Sequence, residues 1–124
     1  MKRRWVPALV LLMVSGCGVT AVSETSVALK EFSVTPVADR LKAGTVDLSV
    51  SNSGEFSHTL VVSDSAGTVV AATALIRPGD TSSLSIDLQP GAYVFTCRIV
   101  GQSDSGEIID HYERGMVARI DVSS

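Results

Sequence analysis

Apolar and polar residues alternate in short runs over most of the chain, and no stretch sustains the 3.6-residue period of an amphipathic helix. Val46, Leu48 and Val50 alternate with Asp47, Ser49 and Ser51, the pattern of a half-buried strand. Leu84, Ile86 and Leu88 alternate in the same way with Ser83, Ser85 and Asp87, and Ala118, Ile120 and Val122 form a closing strand. Tyr93, Phe95 and Cys97 fall on one strand face, so Cys97 is expected to point inward with two aromatic rings. Two runs are less regular. Val27 to Val34 is rich in β-formers, but its alternation slips between Leu29 and Phe32, which predicts a bulge or an edge. Thr68 to Leu75 reads as a further strand, and His58 stands at the front of the apolar run Thr59 to Val62.

Turn chemistry separates these runs: Pro36, Asn52-Ser53-Gly54, Asp64 to Gly67, Pro78-Gly79 and Pro90-Gly91. Val37 to Lys42 reads as a short irregular turn and Gly101 to Asp110 as a polar loop. The expectation is an all-β, Greek-key sandwich or barrel of about seven or eight strands, occupying residues 26–124. There is no internal repeat and no sign of a second domain.

The first residues follow a different pattern. Lys2, Arg3 and Arg4 precede an apolar run from Trp5 to Val14, too short to span a bilayer comfortably, so residues 1–16 read as a cleaved export signal. A buried N-terminal helix or an uncleaved anchor is the structural alternative. Val14-Ser15-Gly16-Cys17 resembles the lipobox of bacterial lipoproteins. That resemblance implies a lipidated Cys17 as first mature residue, a polar tether to residue 25, and a domain held at the cell envelope on the periplasmic or extracellular side.

Composition sharpens this picture in two ways. The full chain of 124 residues carries a formal charge of −3; losing residues 1–16 removes three of ten basic and none of thirteen acidic residues, leaving seven against thirteen, or −6. An acidic surface excludes DNA and RNA as partners, because their affinity comes mainly from Lys and Arg on phosphates. It suits a redox partner with a basic docking face. With Cys17 acylated, Cys97 is a lone thiol in an oxidising compartment, and metal coordination would protect it.

Candidate chemistry concentrates between Pro90 and Val117. After Cys17 the chain has only two histidines, one cysteine and one methionine: His58, His111, Cys97 and Met116. Singly, each has a bland reading, as a satisfied histidine, a small buried hydrophobe or core filler. Together they are the ligand set of a blue-copper site. A thiolate and two imidazoles with a weak axial thioether tolerate both Cu(I) and Cu(II), so little reorganisation accompanies electron transfer. Structural zinc sites prefer more than one thiolate.

His58 in NSGEFSHTLVV, Cys97 in PGAYVFTC, and His111 and Met116 in HYERGM before a closing strand resemble the cupredoxins, the blue-copper family with plastocyanin-like domains. VALKEFSVTP and AGTVDLSVSNSG are similar to bacterial cupredoxin-like domains, so the resemblance runs from Ser26 to Val122. It implies one copper ion held by His58, Cys97, His111 and Met116, and a monomer that carries single electrons between redox partners without enzymatic activity of its own. A copper carrier or uptake module, and a metal-free interaction domain, are the alternatives.

Two departures from the family pattern stand out. Thirteen residues separate Cys97 from His111, where two to four are usual, so GQSDSGEIID reads as an insertion. Its Asp104, Glu107 and Asp110 are either a solvated acidic run or a source of a carboxylate ligand. Thr59 follows the first histidine in place of the usual Asn, and its hydroxyl is a shorter brace for the cysteine loop. Asn52 and Gly54 are expected to be structural.

Overall fold

Residues 20–124 are described by a computed structural model; the proposed signal, Cys17 and the start of the tether lie outside or at the edge of the described residues. Among the described residues all regular structure is strand. The chain forms β1 (Glu24–Lys30), β2 (Ser33–Pro36), β3 (Arg40–Lys42), β4 (Gly44–Asn52), β5 (Val61–Asp64), β6 (Val69–Ala72), β7 (Thr81–Leu88), β8 (Gly91–Thr96), β9 (Val100–Gln102), β10 (Ile108–Asp110) and β11 (Val117–Ser123).

Two sheets make a sandwich. One has the order β2-β1-β4-β7 and the other β3-β11-β8-β5-β6, with β9 and β10 forming a separate two-stranded hairpin. β1 runs parallel to β4, and β3 parallel to β11; the remaining pairs are antiparallel. The chain crosses from sheet to sheet at β2–β3, β3–β4, β4–β5, β6–β7 and β7–β8, as Greek-key sandwiches do.

The alternating residues supply the core. Val46, Leu48 and Val50 from β4, Ile86 and Leu88 from β7, Tyr93 and Phe95 from β8, and Ile120 and Val122 from β11 are all buried between the sheets. Each such side chain contributes about 1.5–3 kcal/mol of hydrophobic transfer. The Tyr93 hydroxyl donates to the Gln89 carbonyl (3.0 Å) and accepts from the Gln89 N–H (3.1 Å), which pins the turn before β8.

Eleven strands stand where seven or eight were expected, and the extra ones are short. The slip between Leu29 and Phe32 is a full chain reversal: β1 and β2 pair antiparallel around Glu31-Phe32, with Lys30 opposite Ser33. Part of the supposed turn at 37–42 is β3, three residues paired alongside β11. The polar loop 101–110 contains β9 and β10, paired Val100 with Asp110 and Ile108 with Gln102. Runs of three or four residues are too short for alternation to register. The strand expected over 68–75 shrinks to β6, and His58 precedes β5 as an isolated bridge to Ile76.

Candidate metal centre

Four chain segments meet at one end of the sandwich. His58 leaves β4 by a loop that Asn52 organises: its Nδ2 donates to the carbonyls of Phe56 (2.7 Å) and Ile76 (2.9 Å), and its Oδ1 accepts from Gly54 N–H (2.9 Å). The His58 backbone exchanges two hydrogen bonds with Ile76, at 3.0 and 2.8 Å. The ring is thereby fixed, and it is fully buried. Asn52 and Gly54 are structural, as expected. Thr59 makes no side-chain hydrogen bond among the described residues, so the brace expected of it for the cysteine loop is not made, and Asn52 organises the His58 side alone.

Cys97 follows directly on β8 and is fully buried; its N–H donates to the Met116 carbonyl (3.2 Å). His111 follows β10, its N–H donates to the Ile99 carbonyl (3.0 Å), and its own carbonyl accepts from Met116 N–H (3.1 Å). The thirteen-residue gap is therefore a closed excursion. Val100 pairs with Asp110 at its base, so across the hairpin His111 lies beside Ile99, two residues after Cys97. The spacing seen in space is short even though the spacing in sequence is long.

The side chains converge. His58 Nδ1 lies 3.2 Å from His111 Nδ1 and 3.8 Å from Cys97 Sγ, and His111 Nδ1 lies 3.7 Å from the same sulfur. The point equidistant from three atoms at those separations is about 2.1 Å from each, inside the roughly 2.0–2.3 Å range of first-row metal bonds to imidazole and thiolate. His58, Cys97 and His111 are also the one cluster of possible metal donors found among the described residues. Met116 is fully buried and joined through its backbone to both Cys97 and His111.

Burial lowers the pKa of His111 below its usual 6.5, the His58 ring adds to that, and the Glu31 and Asp110 carboxylates oppose it. A neutral ring keeps a lone pair for a metal. Two imidazole nitrogens and a sulfur that face one another in a buried position can share protons among themselves, and can equally converge on a single cation. One thiolate, two imidazoles and an adjacent buried thioether fit one copper ion.

The acidic residues of the hairpin stay out of the cluster. Glu107 pairs with Arg114 (2.6 Å), Asp110 Oδ1 accepts from Glu113 N–H (3.1 Å), and Asp104 is exposed. A carboxylate does reach the site, but from a residue that the pattern gave no reason to select. Glu31, in the β1–β2 turn, accepts a hydrogen bond from His58 Nε2 at 2.9 Å, and the neighbouring Phe32 packs edge to face against His111 with ring centroids 5.4 Å apart. The slip in alternation between Leu29 and Phe32 marked the place without revealing the contact.

The family model described as a cupredoxin-like domain matches residues 6–109, ending just before His111. No curated protein matches the chain. Among solved structures the chain is similar to auracyanin from Roseiflexus castenholzii (19% identity, TM-score 0.64, covering 85% of this chain and 100% of that one). It is also similar to rusticyanin from Thiobacillus ferrooxidans (18%, 0.60, 83% and 79%) and to a purple cupredoxin from Nitrosopumilus maritimus (14%, 0.55, 79% and 98%). Identities this low carry the fold; the site rests on the side chains themselves.

Proposed function

Because the chain belongs to the family of cupredoxin-like domains, we propose that it is an exported, membrane-anchored, mononuclear type 1 copper protein that carries single electrons between redox partners. In this reading Cys97, His58 and His111 would be the strong ligands and Met116 a weak thioether ligand. Copper held there would supply a one-electron couple. The chain's own residues hold that geometry: the Asn52 loop and the Ile76 bridge fix His58, and the Cys97–Met116 and His111–Ile99 backbone bonds fix the other side.

The observation that carries the reading is the convergence of two imidazole nitrogens and one thiol sulfur within 3.2–3.8 Å of one another. Burial favours electron transfer over copper carriage. Cys97 and His58 are fully buried and His111 is 4% exposed, whereas a carrier must let incoming ligands reach the ion. Enzymatic redox chemistry would need a further copper centre, and both histidines are already engaged.

Lysine and arginine at positions 2–4 and the small residues before Cys17 support export and lipid anchoring, and the acidic mature surface supports a partner with a basic docking face. Adding Cu(II) to the purified domain should give an intense visible band and a reversible one-electron wave at an electrode. Both should vanish in Cys97→Ala, and His58→Ala should lose the band. A variant of either kind with the wild-type colour refutes the assignment. Metabolic labelling with palmitate, abolished by Cys17→Ala, tests the anchor.

A further inference from the structure

The Glu31 carboxylate sits on the face of His58 turned away from the cysteine. Its side chain is 21% exposed, and its Oε1 lies 2.9 Å from His58 Nε2. Both oxygens also accept from Glu55 N–H (3.0 Å each), and Oε1 accepts from Phe56 N–H (2.8 Å). Burial alone would raise the pKa of Glu31. The N–H groups of Phe56, Glu55 and Glu31 itself, with the His58 ring, outweigh burial and lower it from 4.5 to about 2. Backbone N–H groups of Glu55 and Phe56 already donate to its two oxygens, so the carboxylate is an acceptor on every side and the proton in this hydrogen bond belongs to His58 Nε2. The lone pair of the ring is therefore on Nδ1, the atom that faces Cys97 and His111.

We propose that Glu31 is a positioning residue for the copper centre: it selects the Nε2-protonated tautomer of His58, aims Nδ1 at the site, and by its charge favours Cu(II) over Cu(I). A carboxylate on the far nitrogen of a ligating histidine fixes ring orientation and raises the basicity of the near one. A fixed negative charge one imidazole away from a buried ion stabilises the state of higher charge. The orientation half of this inference stands on the hydrogen-bond geometry; the charge half rests on the copper reading above.

A second residue reports on the same contact. A Cβ at Gly54 would lie 2.5 Å from Glu31 Oε1 and 2.7 Å from Oε2, so only glycine lets the carboxylate close over the loop. Gly54→Ala displaces the carboxylate without changing the charge inventory of the chain.

The test compares full-length wild type, E31Q, E31A and G54A. In the metal-free proteins, long-range 1H–15N correlation reads the His58 tautomer. Wild type should show Nε2–H alone, E31Q should keep it through its amide oxygen, and E31A and G54A should show a mixture. With copper bound, E31A and G54A should hold Cu(II) about 10–100-fold more weakly. E31Q should shift the potential upward, with each tenfold loss in Cu(II) over Cu(I) preference worth about 59 mV. If Glu31 only clamps the 54–56 loop, melting temperatures fall while tautomer and potential stay at wild-type values, and the inference is overturned. A wild-type chain that takes up no copper removes the copper reading and the charge effect together. The tautomer comparison, which needs no metal, then decides the positioning role by itself.

Discussion

The β9–β10 hairpin is inserted between two of the metal-site residues, whereas the tip of the β1–β2 hairpin lies 27 residues before His58, yet only the second touches the imidazoles. The β9–β10 hairpin bonds to itself (Ser103 N–H to Glu107, Gly106 N–H to Ser103, the Gln102 amide to Gly106) and to the turn at Glu113 and Arg114, with no side-chain hydrogen bond to either imidazole among the described residues. Its Val100 and Ile108 are 59% and 62% exposed. Glu31 and Phe32, by contrast, place one side chain on each imidazole. The difference shows that a long insertion need not perturb a site when its base closes. Here the Val100–Asp110 pair and the His111–Ile99 bond close it.

The sharpest way to break this contrast is to truncate one residue in each hairpin. Phe32→Ala removes a half-buried ring packed on His111, and should cost about 1–3 kcal/mol, below the 3–5 typical of a fully buried phenylalanine. Val100→Ala should stay within about 0.5 kcal/mol, as exposed substitutions do. Urea unfolding of the metal-free chain measures both. Equal losses would mean that the two hairpins are energetically alike and the contrast is wrong.

Acid should sharpen it next. The lowered pKa of His111 means that the unfolded chain takes up a proton near 6.5 while the folded chain resists. That contribution is fully present above pH 6.5 and is lost as pH falls below it. Glu31, lowered from 4.5 to about 2, contributes stability present above pH 4.5 and lost between 4.5 and 2. Metal-free protein should therefore weaken in two stages on acidification. E31Q should lack the second stage and keep the first, and a single stage in wild type would show that one of the two couplings is absent.

Much of this was legible in the sequence, for reasons that also explain what was not. Val46-Leu48-Val50 and Tyr93-Phe95-Cys97 announce their faces because strand side chains alternate and one face is buried. His58, Cys97, His111 and Met116 stood out because residues 18–124 hold no other histidine, cysteine or methionine. Glu31 did not stand out, because a glutamate at a slip in alternation reads as a solvated turn residue. Its partners, Glu55, Phe56 and His58, are 24 to 27 positions away and are brought in only by the packing of the Asn52 loop against β1. The three-residue strands were hidden for a related reason, since pairing with an existing edge, and not their own pattern, makes them strands.

The smallest expected effects lie in the β9–β10 hairpin. Glu107→Gln removes an exposed ion pair with Arg114, 63% and 38% exposed respectively, and should change stability by no more than about 0.5 kcal/mol. A bolder version replaces residues 101–109 with an Asn-Gly pair. Val100 and Asp110 are already opposite one another in the ladder, and two residues with positive φ form the tight turn that such a pair accepts. The His111–Ile99 bond and everything below it would remain, so the shortened protein should bind Cu(II) with the wild-type spectrum and keep both stages of the acid profile. A changed spectrum would place the hairpin inside the machinery that sets the metal geometry and reverse the comparison with the β1–β2 turn.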